Sequence, residues 1–327
     1  MDHRSPLATV RRAVDDFARA HCATDERWCV ALSGGADSLA LAAVAARVRP
    51  TVALIVDHGL QAGSDAVANA ARDQALGLEC VDAQVIRVDV GSAGGPESAA
   101  RAARYAALEE ARDGAPVLIA HTLDDQAETV LLGLGRGSGA RSIAGMLPYD
   151  PPWGRPLLGV RRSVTHGACE ELGLAPWHDP HNDDPRFTRV RLRNEVLPLL
   201  EQVLGGGVAE ALARTATSLR EDTETLDELA ADALATVGSG EGVDSRLHVG
   251  RLSALPAALR RRVIRRWLLD GGGSGLTDAQ IRGVDRLVVD WRGRGGVAVG
   301  SSLRRQRLFA DRAGGALLLR TEPVYGA

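Results

Sequence analysis

An α/β protein is predicted, with a doubly wound parallel sheet in residues 1–204 and a second, mainly helical domain over 205–327. Three observations carry this. Between Trp28 and Leu132, short apolar runs alternate with longer segments of helical spacing. A triple glycine, Gly205 to Gly207, interrupts the chain after an amphipathic stretch. The 327 residues, 45% of them hydrophobic, exceed one average domain and can bury a full core.

In order, the run WCVAL precedes a helical segment from Ser38 to Arg47, and TVALIVD precedes one from Ser64 to Gly77. AQVIRVDV leads to Glu97–Asp113, and PVLIAH to Asp124–Leu132. Strands that are apolar throughout, alternating with helices, belong to a parallel sheet covered on both faces, and such sheets bind ligands beyond the carboxyl ends of their strands. Past Gly133 come Gly- and Arg-rich loops, a Pro-rich stretch from Pro148 to Pro156 and an amphipathic segment from Arg189 to Leu200. After the triple glycine, helical spacing runs to Val237 and returns at Pro256–Leu269 and Asp278–Asp290. GVAVG and GALLLR then look like strands.

Composition excludes several chemistries. No lysine occurs, so all 39 basic residues are arginine. A Walker A loop and a pyridoxal Schiff base both need a lysine and both fall. Cys22, Cys29, Cys80 and Cys169 form no CxxC pair, which argues against a disulfide framework or a four-thiolate zinc site. His166, Cys169, His178 and His181 have a zinc-like spacing, but they fit better as a core thiol and loop imidazoles. The charged N-terminus has no apolar signal core and no stretch approaches a bilayer-spanning length, so a cytoplasmic protein without a membrane partner is expected.

The segment SGGADS, Ser33 to Ser38, joins the first strand to a helix. Gly34 and Gly35 allow close backbone approach beside Ala36, the helix N-terminus directs N–H groups at an anion, and Ser33 and Ser38 add hydroxyls. This is a phosphate cradle that works without lysine. Asp37 would repel a bare phosphate, which suggests a bridging magnesium ion. Asp124, Asp125 and Glu128 begin a helix beyond the fourth strand, an acidic cluster able to hold magnesium or an ammonium group. Gly135, Gly137 and Ala140 fit a dinucleotide fingerprint by spacing. They follow a helix and not a strand, so a Gly-rich loop carrying Arg136 and Arg141 toward phosphate charge is the better reading.

SGGADS matches the SGGxDS signature of the ATP-pyrophosphatase (PP-loop) superfamily, which transfers AMP from ATP to carbonyl-type oxygens. VDHGL (Val56–Leu60), AHTLDDQAET (Ala120–Thr129), GRGSGARSIAGM (Gly135–Met146), RPLLGVRR (Arg155–Arg162) and WHDPHNDDPRFTRVRLRNEVLPLL (Trp177–Leu200) resemble the tRNA(Ile)-lysidine synthetase family in its own order. The chain departs from that pattern at Thr122, where the family has a second histidine, and at Asn194, so neither position is given a role.

The resemblance implies ATP and Mg2+ as cofactors and tRNA(Ile) and free L-lysine as partners, and it admits a homodimer. The implied reaction adenylates the wobble cytidine of a CAU anticodon and replaces its C2 oxygen with lysine, switching decoding from AUG to AUA. It implies catalytic roles for Asp37, His121, Asp125, Glu128, Arg136 and Arg193, nucleotide contacts from Ser33 to Ser38 and at Asp57, and magnesium at Asp37 and Asp124. A PP-loop tRNA thiolase is the rival enzyme, but it would want paired cysteines. A non-catalytic tRNA-binding protein is the rival of another class, and the intact SGGADS and DDQAE speak against it.

From Arg246 to Arg307 there are 14 arginines against four aspartates, a formal +10, so with a total of -3 the rest of the chain carries -13. RRRVIRR, Arg260 to Arg266, places arginines on more than one helix face around Val263, Ile264 and Trp267. Such a surface is suited to a polyanionic backbone, with arginine standing in for lysine on a solvated face as the plainer alternative.

Overall fold

A computed structural model describes residues 5–22, 27–59, 63–91, 96–137, 139–293 and 295–324. Leu60, Ser138 and Arg294 of the segments quoted above lie outside the described residues. Two compact units emerge, Met1–Gly135 with Gly145–Ala216 and Arg136–Ala144 with Thr217–Ala327. The triple glycine at 205–207 forms the turn into the long helix that crosses this division, whose early residues Val208, Ala209 and Ala216 are buried.

The first unit opens with α1 (Pro6–His21), a helix within the charged N-terminal stretch. Ser5 caps it, its hydroxyl accepting from the Ala8 N–H at 3.2 Å, and Val10, Val14, Phe17 and Ala18 form its buried stripe. Then follow β1 (Trp28–Ala31), α2 (Ala36–Val48), β2 (Thr51–Asp57), α3 (Ser64–Gly77), β3 (Asp82–Arg87), α4 (Pro96–Ala111), β4 (Val117–Leu118) and α5 (Leu123–Gly135). The alternation expected from the sequence is thus present.

After α6 (Ala140–Ile143), which belongs to the second unit, come β5 (Tyr149–Asp150), β6 (Trp153–Gly154), α7 (Arg162–Glu171), α8 (Thr188–Arg191) and α9 (Leu197–Leu204). The sheet order is β3-β2-β1-β4-β6-β5, parallel except for β5. Winding runs outward from β1 through β2 to β3 and then returns to place β4 on the other side of β1. That reversal opens a crevice beyond the carboxyl ends of β1 and β4.

Helix α2 is buried from Ser38 through Ala45 because α1, α7 and the sheet all pack on it. Leu39 and Leu41 are fully buried, each contributing about 2 kcal/mol. Gly154 must lack a side chain, since a Cβ there would meet Phe17 at 2.5 Å and Leu118 at 2.8 Å.

In the second unit, the C-terminal part of α10 (Val208–Val237) is followed by β7 (Gly238–Ser239), β8 (Arg246–His248), α11 (Val249–Ser253), α12 (Ala257–Asp270), α13 (Asp278–Val289), β9 (Val297–Val299), β10 (Gln306–Ala313) and β11 (Ala316–Pro323). The strands form an antiparallel sheet in the order β7-β8-β11-β10-β9. GVAVG and GALLLR supply β9 and most of β11, and β10 between them was not foreseen. Val263, Ile264, Trp267 and Leu268 of α12 pack with Leu247, Leu308 and Leu317 of the sheet.

One expectation for RRRVIRR is corrected. Arg260 is buried, its Nε donating to Asp285 at 2.5 Å, and Arg261 donates to the same carboxylate at 2.9 Å. A helix packed on a sheet has too narrow a solvent face for five arginines, so part of the run is internal structure. Among the described residues, no single helix is long and apolar enough to cross a membrane.

Candidate active site

The phosphate loop occupies the β1 end of the crevice. Gly34 has φ +81°, a left-handed conformation that a side chain would strain, and its carbonyl accepts the Trp177 N–H at 2.9 Å. Gly35 begins α2 without a side-chain cap, leaving the first-turn N–H groups to a ligand. The Ser33 and Ser38 hydroxyls lie 3.1 Å apart, and Ser38 donates to the Gly35 carbonyl at 2.9 Å, so the loop is braced from within. Asp57 closes β2, accepting the Gly59 N–H at 2.9 Å. Burial pushes its carboxyl up, but that N–H, the Ser64 hydroxyl and Arg87 together hold it below the usual range.

On the β4 side, Thr122 and Asp125 form a reciprocal cap at the start of α5. The Thr122 N–H and hydroxyl donate to Asp125 Oδ2 at 2.8 and 2.7 Å, and the Asp125 N–H reaches the Thr122 hydroxyl at 3.4 Å. The residue that departs from the family pattern therefore orients an acidic residue that follows it. Glu128, one turn on, has no exposed surface.

Arginines from two later segments meet these acids. Arg162, at the start of α7, donates to Asp37 at 3.2 Å and Asp125 at 2.7 Å and lies 3.7 Å from Glu128. Arg193 donates to Glu128 at 2.7 Å and to Asp125 at 3.5 Å, and Arg189 lies 3.7 Å from Glu128.

Arg193 and Asn194 sit on a π-helical turn, Leu192–Val196, between α8 and α9. There the Leu197 N–H donates back to the Leu192 carbonyl. Pro198 has no N–H to offer the Asn194 carbonyl, which favours a widened turn at that point.

These contacts push the acids apart. Burial raises the Asp125 carboxyl, yet Arg162, the Thr122 donors and His121 outweigh it and hold Asp125 below the usual range. Burial raises Glu128, Arg193 only partly offsets this, and Asp125 adds to the rise. Asp37 is likewise raised by burial against the pull of Arg162 and Thr165, whose hydroxyl donates to it. Burial of Arg162 opposes its charge, but Asp125, Asp37 and Glu128 keep it more firmly protonated than usual. Burial holds His121 well below the ordinary imidazole value, and its Nδ1 is buried without a partner among the described residues. This ring is neutral at physiological pH.

Two cavities flank the loop. One of about 460 Å³ is lined by Leu54, Ile55, Val56, Asp57, His58 and Ala68, an apolar wall with a few polar groups at its edge. The other, of about 640 Å³, is lined by Asp37, His121, Asp125, Arg162, Arg193 and Asn194, among others.

Ser33 to Ser38, Asp57, His121, Asp125, Glu128 and Arg193 are thus gathered in one unit. Asp124 faces elsewhere, accepting the Arg162 N–H at 2.8 Å and lying 3.3 Å from Arg161. Arg136 belongs to the second unit, where it is exposed. Arg162, Thr165 and Trp177 were given no role from sequence. The stretch RPLLGVRR stands out in the sequence as a block, but no local spacing links Arg162 to Asp37, 125 residues earlier. Cys169 is buried, its thiol 3.3 Å from the Ala36 carbonyl.

The chain matches the PP-loop domain family over residues 6–200 and the TilS substrate binding domain over 247–308, the latter nearly coincident with the arginine-rich stretch. It is 69% identical over 324 residues to a tRNA(Ile)-lysidine synthase of Mycobacterium tuberculosis, covering 99% of this chain and 100% of that relative. It is 66% identical over 328 residues to one from Mycobacterium leprae, with the same coverage. Among solved structures, the U34-tRNA thiolase NcsA from Methanococcus maripaludis aligns with a TM-score of 0.54 over 66% of this chain and 80% of its own, at 19% identity, a likeness of fold alone. With both domains matched and near full-length identity to these relatives, the chain belongs to the tRNA(Ile)-lysidine synthase family.

Proposed function

We propose that this enzyme adenylates the wobble cytidine of tRNA(Ile) bearing a CAU anticodon and joins it to free lysine, forming lysidine. The observation that carries this reading is the pairing of two cavities across one phosphate loop, the first apolar and nucleoside-sized, the second lined by carboxylates. ATP lies with its nucleoside in the first cavity, its phosphates on the SGGADS backbone and its ribose or base edge near Asp57. The cytidine C2 oxygen attacks the α-phosphorus, the bond to the bridging oxygen breaks, and its electron pair leaves with pyrophosphate. The lysine ε-amine then attacks C2, the C2–O bond breaks, and AMP departs with that pair.

Carboxylates with opposite tendencies divide the work in the second step. Asp125, held ionised, orients the ammonium, and Glu128, whose affinity for a proton is raised, accepts the proton that the amine must lose. Arg193 keeps Glu128 in place through its 2.7 Å contact. His121 is neutral and so can line the substrate cavity beside arginines without adding charge.

A magnesium ion fits at Asp37. This ion commonly takes one or two carboxylates together with substrate phosphates, and Arg162 has Asp125 and Glu128 to hold it when Asp37 turns to a metal. Bound there, it would neutralise phosphate charge. Asp124 fits less well, because its two oxygens are engaged at the start of α7.

The test is incubation with ATP, labelled lysine and tRNA transcripts that differ only at the anticodon. Label should enter the CAU transcript alone, with one AMP released per lysine joined. Incorporation regardless of anticodon, or AMP release without lysine transfer, would overturn the proposal.

A further inference from the structure

The two cavities share Ala31, Ser33, Arg104, Leu108 and Trp177. Arg104 is the one ionised side chain among them. It comes from α4, one turn before Leu108, so helix geometry puts both on the face turned to the crevice. Arg162 and Arg193, which line the second cavity, both meet Asp125 there. Arg104 has no carboxylate partner among the described residues, and its guanidinium lies 5.5 Å from the Tyr105 ring centre.

Two imidazoles feel its charge. Burial and then Arg104 keep His58, on the wall of the first cavity, below its usual value, and Arg104 adds to the same effect on His121 in the second. Both rings carry a buried Nδ1 without a partner among the described residues. A desolvated cation without a carboxylate counter-ion, set between neutral imidazoles, is an arrangement that an anionic ligand would complete. Burial lowers the Arg104 affinity for its proton, and Tyr105, which hydrogen-bonds it, only partly offsets this.

In an adenylyl transfer the group that must pass from one cavity to the other is the α-phosphoryl. We propose that Arg104 contacts the α-phosphoryl group of the nucleotide and stabilises it as the adenylyl group moves from pyrophosphate to the acceptor oxygen. This rests on the adenylation reading above. The acceptor oxygen contributes the pair that forms the new O–P bond, the pair of the breaking P–O bond leaves on pyrophosphate, and no proton moves at phosphorus. Negative charge grows on the leaving oxygen at the partition between the cavities, where a planar guanidinium can donate two parallel N–H bonds to phosphate oxygens. Arg104 is then a catalytic residue of the first step and has no part in lysine capture.

The test uses full-length Arg104→Ala and Arg104→Lys. Single-turnover pyrophosphate release with ATP and tRNA should fall at least about 100-fold in Arg104→Ala, whereas calorimetric affinity for lysine stays within twofold of the parent. Added guanidinium at low millimolar concentration should recover part of the rate in Arg104→Ala and none in Arg104→Lys. A merely structural role predicts no such rescue. Parent-like pyrophosphate release by Arg104→Ala, or a folded Arg104→Ala that guanidinium does not rescue, would overturn the assignment. If Arg104→Ala fails to fold, a folded Arg104→Lys with the parent's rate is the overturning result and a large rate loss in it the supporting one. Absence of pyrophosphate release from the parent itself would instead sink the adenylation reading.

Discussion

Asp37 and His121 show how far one side chain's surroundings decide its use. Asp37 stands at the first turn of α2, and its partners Arg162 and Thr165 have other contacts to fall back on, Arg162 with Asp125 and Thr165 with the Arg162 carbonyl at 2.7 Å. Removing the carboxylate therefore leaves the core intact. Asp37→Ala should reduce AMP formation at least about 100-fold while the thermal midpoint moves by no more than a few degrees; a folded variant with the parent's AMP yield would remove Asp37 from the phosphate site.

His121 gives a pH signature. Its folded-state proton affinity is depressed below the ordinary value of 6.5. In the window just below that value the unfolded chain binds the extra proton and the native one does not. Stability from this group is complete above about pH 6.5 and is lost as pH falls, by up to about 1.4 kcal/mol per pH unit. His121→Gln should flatten denaturant-derived stability between pH 6.5 and 5 relative to the parent, and parallel pH curves would contradict the neutral, desolvated imidazole.

At the scale of elements, the cap on α5 joins a departure from family pattern to a local mechanism. Thr122 followed three residues later by Asp125 is a capping box that replaces an imidazole with a hydroxyl and fixes the carboxylate at the same time. Thr122→Ala should cost about 1 kcal/mol of stability and raise the KM for lysine more than that for ATP. An unchanged lysine KM with the stability loss present would confine Thr122 to capping.

The same elements show what the sequence made legible. WCVAL, TVALIVD and PVLIAH are apolar throughout because their strands are covered on both faces, and SGGADS announces its own turn, so the sheet and loop could be read locally. Helix α1 is less legible: Ser5, Pro6 and the Val10–Val14–Phe17 stripe signal it, but its arginines and aspartates mask the apolar face. Arg162 could not be read, since its partners lie 34 to 125 residues away and only the fold joins them.

For the whole molecule, the charge asymmetry has to be divided between holding the second unit together and meeting a polyanion. All four aspartates of the 246–307 stretch pair with arginines: Asp285 with Arg260 and Arg261, Asp270 with Arg266, Asp278 with Arg282, and Asp290 with Arg292. Arg260 and Asp285 are buried, so Arg260→Ala would leave Asp285 with Arg261 as its remaining cation and destabilise the core, and it says little about RNA. Arg304, Arg305 and Arg307 are different: they are exposed at the entry to β10 and have no carboxylate partner among the described residues. They also lie within the matched substrate binding domain. Replacing all three by Gln should leave the fold and ATP affinity unchanged, weaken all tRNAs by a similar factor, and lower the slope of log affinity against log salt by roughly 2, since each lost phosphate contact releases fewer counterions. Titration at several salt concentrations measures this directly. An unchanged slope with unchanged affinity would mark these arginines as a solvated face and shift the search for the tRNA surface to Arg246, Arg251 and Arg286, which are also exposed and without a carboxylate partner among the described residues.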